Sequence, residues 1–406
     1  MKNENSRIVI VSRQTTRGVF ALYSKFIKML LPLPSFFEVS FPSDEEPNVF
    51  PVTIGAYSVP CPLCQGKTIR HAQTLRRFRH GYAWHLGLIW IEMVIPRHRC
   101  VACDLTFTYD FGLGIIQASS ALFRKELVQR CHGRSIADVA REYELPYTTV
   151  GSWYYLYAPD QLVEETATAI YVDEFALRKG HNYATSVLNA DTGRILAIVP
   201  HRNQDAITAV LQKVIGPIRA VVSDFAPAMA NAIQTVYPTA IHVLDRFHLV
   251  QFFTEAQQRR RRYLGEAKKH HKSRFIDRCL ARKPEQLTEE ERGFIAQWYK
   301  EDLHTKHIYQ ALNHMRYVLK ATTMTQAKRR LTEWFKQYQF HMCGAVSKIA
   351  KTLITREKAL LDTIISPLSD GMMVGTNNKI KLIKRRGFGY RNEDRFFLGL
   401  RLETGH

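Results

Sequence analysis

Two short apolar segments in the middle of the chain each deliver an aspartate, and they constrain the fold more than any other feature. The first, residues 170–183, contains Asp173 and turns at Gly180. The second, residues 218–222, is followed by Ser223 and Asp224. Apolar runs of this length that end in turn residues are typical of β-strands. The sequence therefore predicts two strands that each carry a carboxylate to the edge of a sheet.

The segments around these strands follow the order of a mixed α/β domain. The residues Asp191-Thr-Gly193 form a strong hairpin signal between two apolar runs. The further predicted elements are strands over 183–189 and 194–200, helices over 205–215 and 227–236, and a strand over 240–244. This is the order expected of a ribonuclease H-like α/β core, in which the strands of Asp173 and Asp224 lie side by side.

Two carboxylates on rigid strands suit a divalent metal ion. Mg²⁺ prefers oxygen ligands at about 2.1 Å and is often held by one or two carboxylates together with phosphate oxygens. Two such ions about 4 Å apart can activate a nucleophilic oxygen and stabilise the leaving oxygen of a phosphodiester. Aspartate also ends strands at turns without binding anything. For Asp173 and Asp224 taken singly, that alternative stays open.

Four of the seven cysteines form two Cys-x-x-Cys pairs, Cys61 with Cys64 and Cys100 with Cys103. Two such pairs, with strand-like sequence between them, can place four thiolates tetrahedrally around one structural Zn²⁺. The gap between the pairs is longer than the commonest zinc-ribbon spacing, and four unrelated buried cysteines are the alternative. An odd cysteine count with tight pairs also favours a reducing cytoplasm over a disulfide framework.

The charge balance indicates a polyanionic partner. The chain has 57 basic and 37 acidic residues, a net charge of +20, and nucleic acid is the simplest such partner. The basic residues between the cysteine pairs are predicted to face phosphates, and His98 is expected to face solvent or phosphate rather than the metal. These residues are Arg70, His71, Arg76, Arg77, Arg79 and His80. Lysines and prolines interrupt the apolar stretch 19–37, so neither a membrane span nor a signal peptide is expected.

Residues 122–157 predict three helices. Ser135 is placed to cap the second helix, and Leu145-Pro146 separates it from a third. This is the helix-turn-helix pattern, in which the last helix enters a major groove of duplex DNA. The side chains predicted to face that groove are Tyr147, Thr148, Thr149 and Ser152. A plain helical hairpin fits the same spacing.

The remainder of the chain is helical and basic. Residues 259–262 are four arginines, and either a solvated surface or contact with a DNA backbone fits this run. A last helix carries polar residues at helical offsets that share one face, which would contact phosphates near a carboxylate site. These residues are Asn377, Asn378, Lys381, Lys384 and Arg385.

In this order, the motifs resemble a bacterial insertion-sequence transposase of the ISL-three family. They are the two cysteine pairs, the helix-turn-helix, Val-Asp-Glu-Phe-Ala around Asp173, Ser-Asp at Asp224, Asp-Arg-Phe-His from Asp245, and Asn-Asn-Lys-Ile-Lys from Asn377. The resemblance implies a DDE enzyme that holds Mg²⁺ or Mn²⁺ with Asp173, Asp224 and a glutamate. It also implies cleavage and transfer of double-stranded DNA at transposon ends and in a target, by a homo-oligomer in a synaptic complex at the nucleoid of a bacterial cytoplasm.

The sequence departs from this family pattern at one position. The family's glutamate lies before the Asn-Asn-Lys-Ile-Lys block, with one glycine and one variable residue between, and here that position holds Val374. Valine cannot bind a metal, so the sequence predicts an impaired transposase. Asp245 is the foremost possible substitute, whereas Asp370 belongs to a turn and Glu174 is expected on the opposite face of its strand. The alternative function is a catalytically inactive, transposase-derived DNA-binding regulator.

These features divide the chain into predicted domains. They are an unassigned segment over 1–59, a zinc ribbon over 60–110, a helix-turn-helix domain over 120–160, the first part of a ribonuclease H-like core over 170–250, a helical insertion over 251–365, and a C-terminal helix completing the core over 366–406.

Overall fold

The computed structural model describes residue 27 and residues 31–55, 57–178, 182–264, 270–368, 371–387 and 389–404, with the backbone alone at 270–274 and 371–374. The chain divides into two compact units, residues 1–161 and 162–406. Most of segment 1–30, the turn at Gly180, Asp370 and the side chain of Val374 lie outside the described residues. In the described part of the chain, no helix is both long and apolar enough to cross a membrane.

The first unit contains a five-stranded sheet. Its strands are β1 (Phe37–Val39), β2 (Val49–Ile54), β3 (Thr68–Ala83), β4 (Gly87–Cys100) and β5 (Thr106–Thr108). The order is β1-β2-β4-β3, and β5 also pairs with β4. The long β3–β4 hairpin buries Phe78 and Ile91 against Phe37. The segment over 1–59, which was unassigned from its sequence, thus supplies two strands to this sheet.

Three helices follow the sheet, as predicted. They are α1 (Ala121–Arg130), α2 (Ile136–Glu142) and α3 (Tyr147–Tyr157). The Ser135 side chain accepts a hydrogen bond from the N–H of Asp138 and caps α2, as its position in the sequence predicted. Arg124 of α1 is buried, and its guanidinium donates to the backbone oxygens of Ser119 and Gly114. These bonds fix the loop before α1 to the helices.

The second unit contains a mixed sheet in the predicted order of elements. Its strands are β6 (Ala169–Arg178), β7 (Asn182–Asn189), β8 (Ile195–Pro200), β9 (Ala220–Ser223) and β10 (Ile241–Leu244), in the spatial order β10-β9-β6-β7-β8. Strands β6, β9 and β10 are parallel, whereas β6, β7 and β8 are antiparallel. The Asp173 and Asp224 strands are therefore neighbours, as the sequence predicted.

Helices cover both faces of this sheet. Helices α4 (Gln204–Leu211) and α5 (Pro227–Val236) pack on one face of the sheet, against Ile170 and Val172. The two helices over 371–386 and 393–403 pack on the other face, against Tyr171. The alternation follows from the two-residue period of a strand. Helix α4 ends at Leu211, four residues before the predicted end at residue 215. After it, the backbone at Gly216 passes so close to the backbone of Ala167 that a side chain would not fit.

A helical insertion leaves the sheet after β10. It consists of α6 (Arg246–Tyr263), α7 (His270–Ala281), α8 (Glu289–Glu301), α9 (Leu303–Val318), α10 (Met324–Tyr338), α11 (Gly344–Ile354) and α12 (Glu357–Ile365). Trp334 is fully buried in its core and donates to the backbone oxygen of Ala311 at 3.1 Å. The chain then returns to the sheet through α13 (Gly371–Arg386) and α14 (Glu393–Glu403).

Candidate functional site

Three aspartates lie on the side of the second sheet where the parallel strands β9 and β10 end, and this side is called the edge below. In the register of the parallel strands, Tyr171 pairs with Val222 and Leu244 pairs with Ser223. Asp173 therefore lies close to the level of Asp224, which follows β9 directly. Asp245 follows β10 directly, and its N–H donates to the oxygen of Ser223 at 2.8 Å. Parallel strands bring their carboxyl ends to one edge, so this edge collects the acidic side chains.

Asp173 is partly buried and accepts hydrogen bonds on both carboxylate oxygens. Its Oδ2 accepts a hydrogen bond of 2.6 Å from the Asn377 amide, and its Oδ1 accepts one of 2.8 Å from the N–H of Glu174. Burial raises the pKa of Asp173, the two hydrogen bonds oppose that rise in part, and the charge of Asp245 adds to it. A cation at this position would favour the ionised carboxylate.

Asp224 has both a local role and a free ligand atom. Its Oδ1 accepts a hydrogen bond of 2.9 Å from the N–H of Ala226, which starts the turn into α5. Its second oxygen has no hydrogen-bond donor among the residues that the structure describes. The carboxylate therefore supports a turn and still offers one oxygen to a ligand.

Asp245 is already engaged on both oxygens. It caps α6 by accepting from the N–H of Phe247 at 2.6 Å, and its other oxygen contacts His248 Nδ1 at 2.8 Å. This contact raises the pKa of His248, although burial opposes the rise, and the charges of Asp173 and Asp224 raise it further. The immediate role of Asp245 is to end a strand, cap a helix and favour the protonated form of His248 near the acids.

Glu174 points away from Asp173, as the strand alternation predicted. Arg202 donates to its carboxylate at 3.3 Å. Burial raises the pKa of Glu174, and the charge of Asp224 raises it further. Glu174 is therefore an acid on the other face of β6 that still interacts electrostatically with the edge.

Helix α13 brings the C-terminal motif to the same edge. Asn377 contacts Asp173, and Lys384 Nζ donates to the backbone oxygen of Ala176 at 3.1 Å. Asn378, Lys381 and Arg385 are exposed. The predicted polar face is thus divided between contacts with β6 and solvent. The backbone of residue 374 lies in α13 about one turn before Asn377.

The cysteines form a compact cluster in the first unit. The four Sγ atoms of Cys61, Cys64, Cys100 and Cys103 lie within 4.8 Å of one another, with the closest pairs at 3.4 to 3.6 Å. Four thiolates at about 2.3 Å from a tetrahedral Zn²⁺ would be about 3.8 Å apart, so the cluster has dimensions compatible with such an ion. In the described part of the chain, this is the one group of three or more potential metal ligands that lies so close together.

Both cysteine pairs have the same turn geometry. The N–H of Cys61 donates to the oxygen of Gly66, and the N–H of Cys100 donates to the oxygen of Leu105. Gln65 and Asp104, which follow the second cysteine of each pair, both have left-handed backbones with φ of 59° and 60°. Backbone N–H groups of Cys64 and Cys103 lower the pKa of the Cys61 and Cys100 thiols, the latter to about 6. The turns therefore favour a thiolate at the first cysteine of each pair, whereas hydrogen bonds with neighbouring thiols and burial raise the pKa of Cys64 and Cys103, the latter to about 12.

Two histidines in the first unit do not lie where the sequence analysis placed them. His98 is buried in β4, with Nε2 at 3.4 Å from the Tyr57 hydroxyl, and it belongs neither to the cysteine cluster nor to the surface. His80 is buried beside the hydroxyl of Ser120, and burial lowers its pKa to about 4. The strand alternation turns both side chains inward, so the prediction that they face phosphates was wrong.

The arginines of β3 also have different environments. Arg77 forms an ion pair of 2.6 Å with Glu46, and Arg79 lies over the ring of Trp90 at 4.6 Å. Arg70, His71 and Arg76 are exposed. The surface available to a polyanion between the cysteine pairs is therefore smaller than the sequence suggested.

The predicted recognition residues of α3 lie on its exposed side. Tyr147 is 58% exposed, Thr148 and Ser152 are exposed, and Thr149 is partly buried. Val150 and Trp153 of the same helix are buried. The helix thus keeps its polar positions free while its apolar positions pack, and the role of those residues in DNA binding stays a prediction.

The arginine run on α6 is partly neutralised within the insertion. Arg260 forms an ion pair with Asp302 at 2.8 Å, and Arg261, which is buried, pairs with Asp277. Arg259 remains exposed, 3.7 Å from Glu255. Two of the four arginines therefore hold helices of the insertion together.

Fold and site define a mixed α/β protein with aspartates on the neighbouring parallel strands of a mixed sheet and a separate four-cysteine cluster. A family model described as Transposase, the DDE type of the ISL3 (ISL-three) group, matches residues 170–400. The chain belongs to the ISL3 family of transposases.

Two named relatives are also transposases. The chain is 26% identical over 349 residues to the transposase for insertion sequence element IS1001 of Bordetella parapertussis, covering 82% of this chain and 85% of that protein. It is also 26% identical over 255 residues to the transposase for insertion sequence element IS1557 of Mycobacterium tuberculosis, covering 55% of this chain and 57% of that protein.

Proposed function

We propose that this protein is a DNA transposase that cleaves and joins strands at the ends of an insertion sequence. The observation that carries the proposal is the placement of Asp173, in the middle of β6, level with Asp224 at the end of the adjacent parallel strand β9, with Asn377 of α13 bound to Asp173. In a ribonuclease H-like core, this edge is where a DNA phosphate would lie. The family match over 170–400 supports the same conclusion.

The residues at this edge suit Mg²⁺ or Mn²⁺. Asp224 offers a free carboxylate oxygen, and Asp173 is a partly buried carboxylate whose raised pKa a cation would lower. A divalent ion held there would activate water for the nick and stabilise the leaving oxygen. Asn377 orients Asp173, and the protonated form of His248, which the acids favour, would supply positive charge to them.

The first unit provides DNA recognition in this proposal. Cys61, Cys64, Cys100 and Cys103 would hold a structural Zn²⁺ in a zinc ribbon over 60–110. A helix-turn-helix domain over 120–160 would present Tyr147, Thr148, Thr149 and Ser152 to the terminal inverted repeat. The core over 170–250 is completed by 366–406 and interrupted by the insertion over 251–365. We expect a homo-oligomer to hold two ends in a synaptic complex at the bacterial nucleoid.

Val374 favours a second candidate, a catalytically inactive DNA-binding regulator derived from a transposase. An aliphatic side chain at the third acidic position removes one ligand of three. Asp245 is the candidate substitute. A helix N-terminus and His248 engage both its oxygens, as the N–H of Glu174 and the Asn377 amide engage both oxygens of Asp173. A loss of a few kcal/mol of transition-state stabilisation would slow cleavage about 10²- to 10⁴-fold.

Cleavage of a duplex that carries the ends of the element tests both candidates. We expect Mg²⁺-dependent nicking by Val374→Glu to exceed that of the natural chain by about 10²-fold or more. Asp173→Asn in the Val374→Glu background serves as the inactive control. Equal nicking by the natural chain and Val374→Glu would contradict the impairment. Sequence-specific binding with no cleavage by either protein would instead support the regulator.

A further inference from the structure

The insertion contains a groove whose chemistry the metal site and the first unit do not explain. It has a volume of about 830 Å³ and lies where the chain after Asp224 meets α11. We call it the basic groove and define it by Phe225, Phe252, Lys348, Lys351 and Arg356, which line it. A second cavity of about 490 Å³ shares Phe252 and Lys348 with it and extends it along α6.

The cations of the basic groove are free, unlike the central arginines of α6. Lys348 and Lys351 are exposed on α11, and Arg356 follows that helix. Within the described part of the chain, no carboxylate lies within 4.0 Å of any of their charged groups. Three uncompensated positive charges along one depression attract a polyanion.

Two aromatic rings complete the groove. Phe225 and Phe252 pack edge to face, with ring centroids 5.0 Å apart, and both are only partly buried. Aromatic side chains beside a track of cations are the usual features of a surface for single-stranded nucleic acid, because bases stack on the rings while phosphates meet the cations. A duplex keeps the faces of its bases stacked inside, so it cannot use such rings.

The groove begins at the edge that carries the aspartates. Phe225 is the residue after Asp224, so the two Cα atoms are about 3.8 Å apart. Its extension ends near Glu255, which accepts from Gln251 at 2.7 Å and lies 3.7 Å from Arg259. A strand that leaves the Asp224 edge can therefore enter the groove directly and follow α11.

We propose that the basic groove binds a single-stranded segment of DNA beside the cleavage site. Lys348, Lys351 and Arg356 contact its phosphates, and Phe225 and Phe252 contact its bases. The inference rests on the proposed function for the origin of that strand, which is DNA opened next to the cleaved phosphodiester. It assigns to the insertion a role in holding substrate.

Fluorescence anisotropy with the full chain tests this proposal. The probes are a labelled single strand of about 12 nucleotides and the duplex that carries the element's ends. We expect Phe252→Leu to weaken binding of the single strand about tenfold, because one stacking contact is lost, while binding of the duplex changes little. Lys348→Gln/Lys351→Gln should reduce the slope of log affinity against log salt for the single strand by about 1.4, since each phosphate contact contributes about 0.7.

The matched control is Lys300→Gln/Lys336→Gln, which removes the same charge from exposed positions of the insertion outside the groove. Thermal melting checks that each variant is folded. Groove variants that bind the single strand like the control would overturn the inference, even if the duplex is still bound. Groove variants that lose only self-association would overturn it in favour of a protein interface. If the natural chain binds neither probe, the proposed function fails as well.

Discussion

Asp173 lies in surroundings that stabilise it only in part. Its main side-chain donor is Asn377, which is 204 positions later in the chain, and burial still leaves the pKa of Asp173 above its ordinary value. A carboxylate that has lost water and gained few donors stabilises the folded chain poorly by itself. A bound cation would, however, stabilise this carboxylate in its ionised form.

For single residues, the sequence predicted the positions of the acidic side chains but not the side chains that donate hydrogen bonds to them. Asp173 and Asp224 could be predicted because each belongs to an apolar run whose period and end are local features. The bond from Asn377 could not, because nothing in either segment encodes a contact across 204 positions. His80 and His98 were predicted on the surface from their polar type, but the face of a strand that is buried depends on what packs against it.

His248 makes the stability of the second unit depend on pH. Its pKa in the folded chain is raised, chiefly by Asp245. The stabilisation from the pair is therefore complete below the ordinary histidine pKa of about 6.5 and is lost as pH rises through the raised value. We expect the thermal midpoint of the natural chain to fall relative to that of His248→Gln from about pH 6.5 upward.

His242 provides the control for that measurement. Burial lowers the pKa of His242 to about 4, so it is neutral both in the folded chain and, above about pH 7, in the unfolded chain. The difference between the natural chain and His242→Gln should therefore stay constant above that pH. If His248→Gln behaves in the same way, the charged pair with Asp245 does not exist in solution.

At the scale of elements, the two cysteine turns repeat one geometry. Each begins with a cysteine whose N–H bonds to a carbonyl oxygen five residues later, and each has a left-handed residue after its second cysteine. The spacing Cys-x-x-Cys predicted the cluster because these turns are local. The strand-like sequence between the pairs also predicted that the turns meet, but it did not predict the register of the long β3–β4 hairpin that brings them together.

Gly66 is expected to keep the space that two thiols of the cysteine cluster need. A Cβ at this position would lie 3.2 Å from Cys64 Sγ and 3.4 Å from Cys100 Sγ. Because ligand distances tolerate changes of only about 0.2 Å, Gly66→Ala should lower the affinity for Zn²⁺ about tenfold. Competition with a chromogenic chelator measures this. Gly151→Ala, where a side chain meets nothing within 4 Å, is the control and should leave the affinity unchanged.

A run of charged residues on a helix of the insertion does not form one charged surface. Four consecutive arginines on α6 suggested one basic surface, but a helix turns by about 100° per residue. Arg260 and Arg261 consequently meet Asp302 and Asp277 inside the insertion. Free cations lie instead on α11, where Lys348 and Lys351 are three residues apart and form no continuous charge run in the sequence.

For the whole molecule, the net charge and the succession of elements were the most informative features of the sequence. The order of strands and helices predicted the second sheet, because sequential elements tend to be neighbours. The first sheet was harder to predict, since β2 pairs with β4 in parallel across some forty residues. The charge of +20 predicted a polyanionic partner, but the structure was needed to separate paired cations from free ones.

The division into two units predicts two responses to a metal chelator. The cysteine cluster lies in the unit over 1–161, whose small apolar cores contain residues such as Phe37 and Phe78, whereas the unit over 162–406 has larger cores of its own. A structural Zn²⁺ contributes directly to folding where the core is small. We expect calorimetry to give two transitions and a chelator to lower only one of them.

The cysteines allow that transition to be assigned. Cys100→Ser should lower the same transition as the chelator and make it insensitive to further chelator, because the cluster is then incomplete. Cys343→Ala, which alters a buried cysteine in the insertion core, should affect only the other transition and leave the response to the chelator intact. A chelator that lowers both transitions equally would mean that the two units unfold together. A chelator without effect would mean that the four thiols hold no metal that matters for folding.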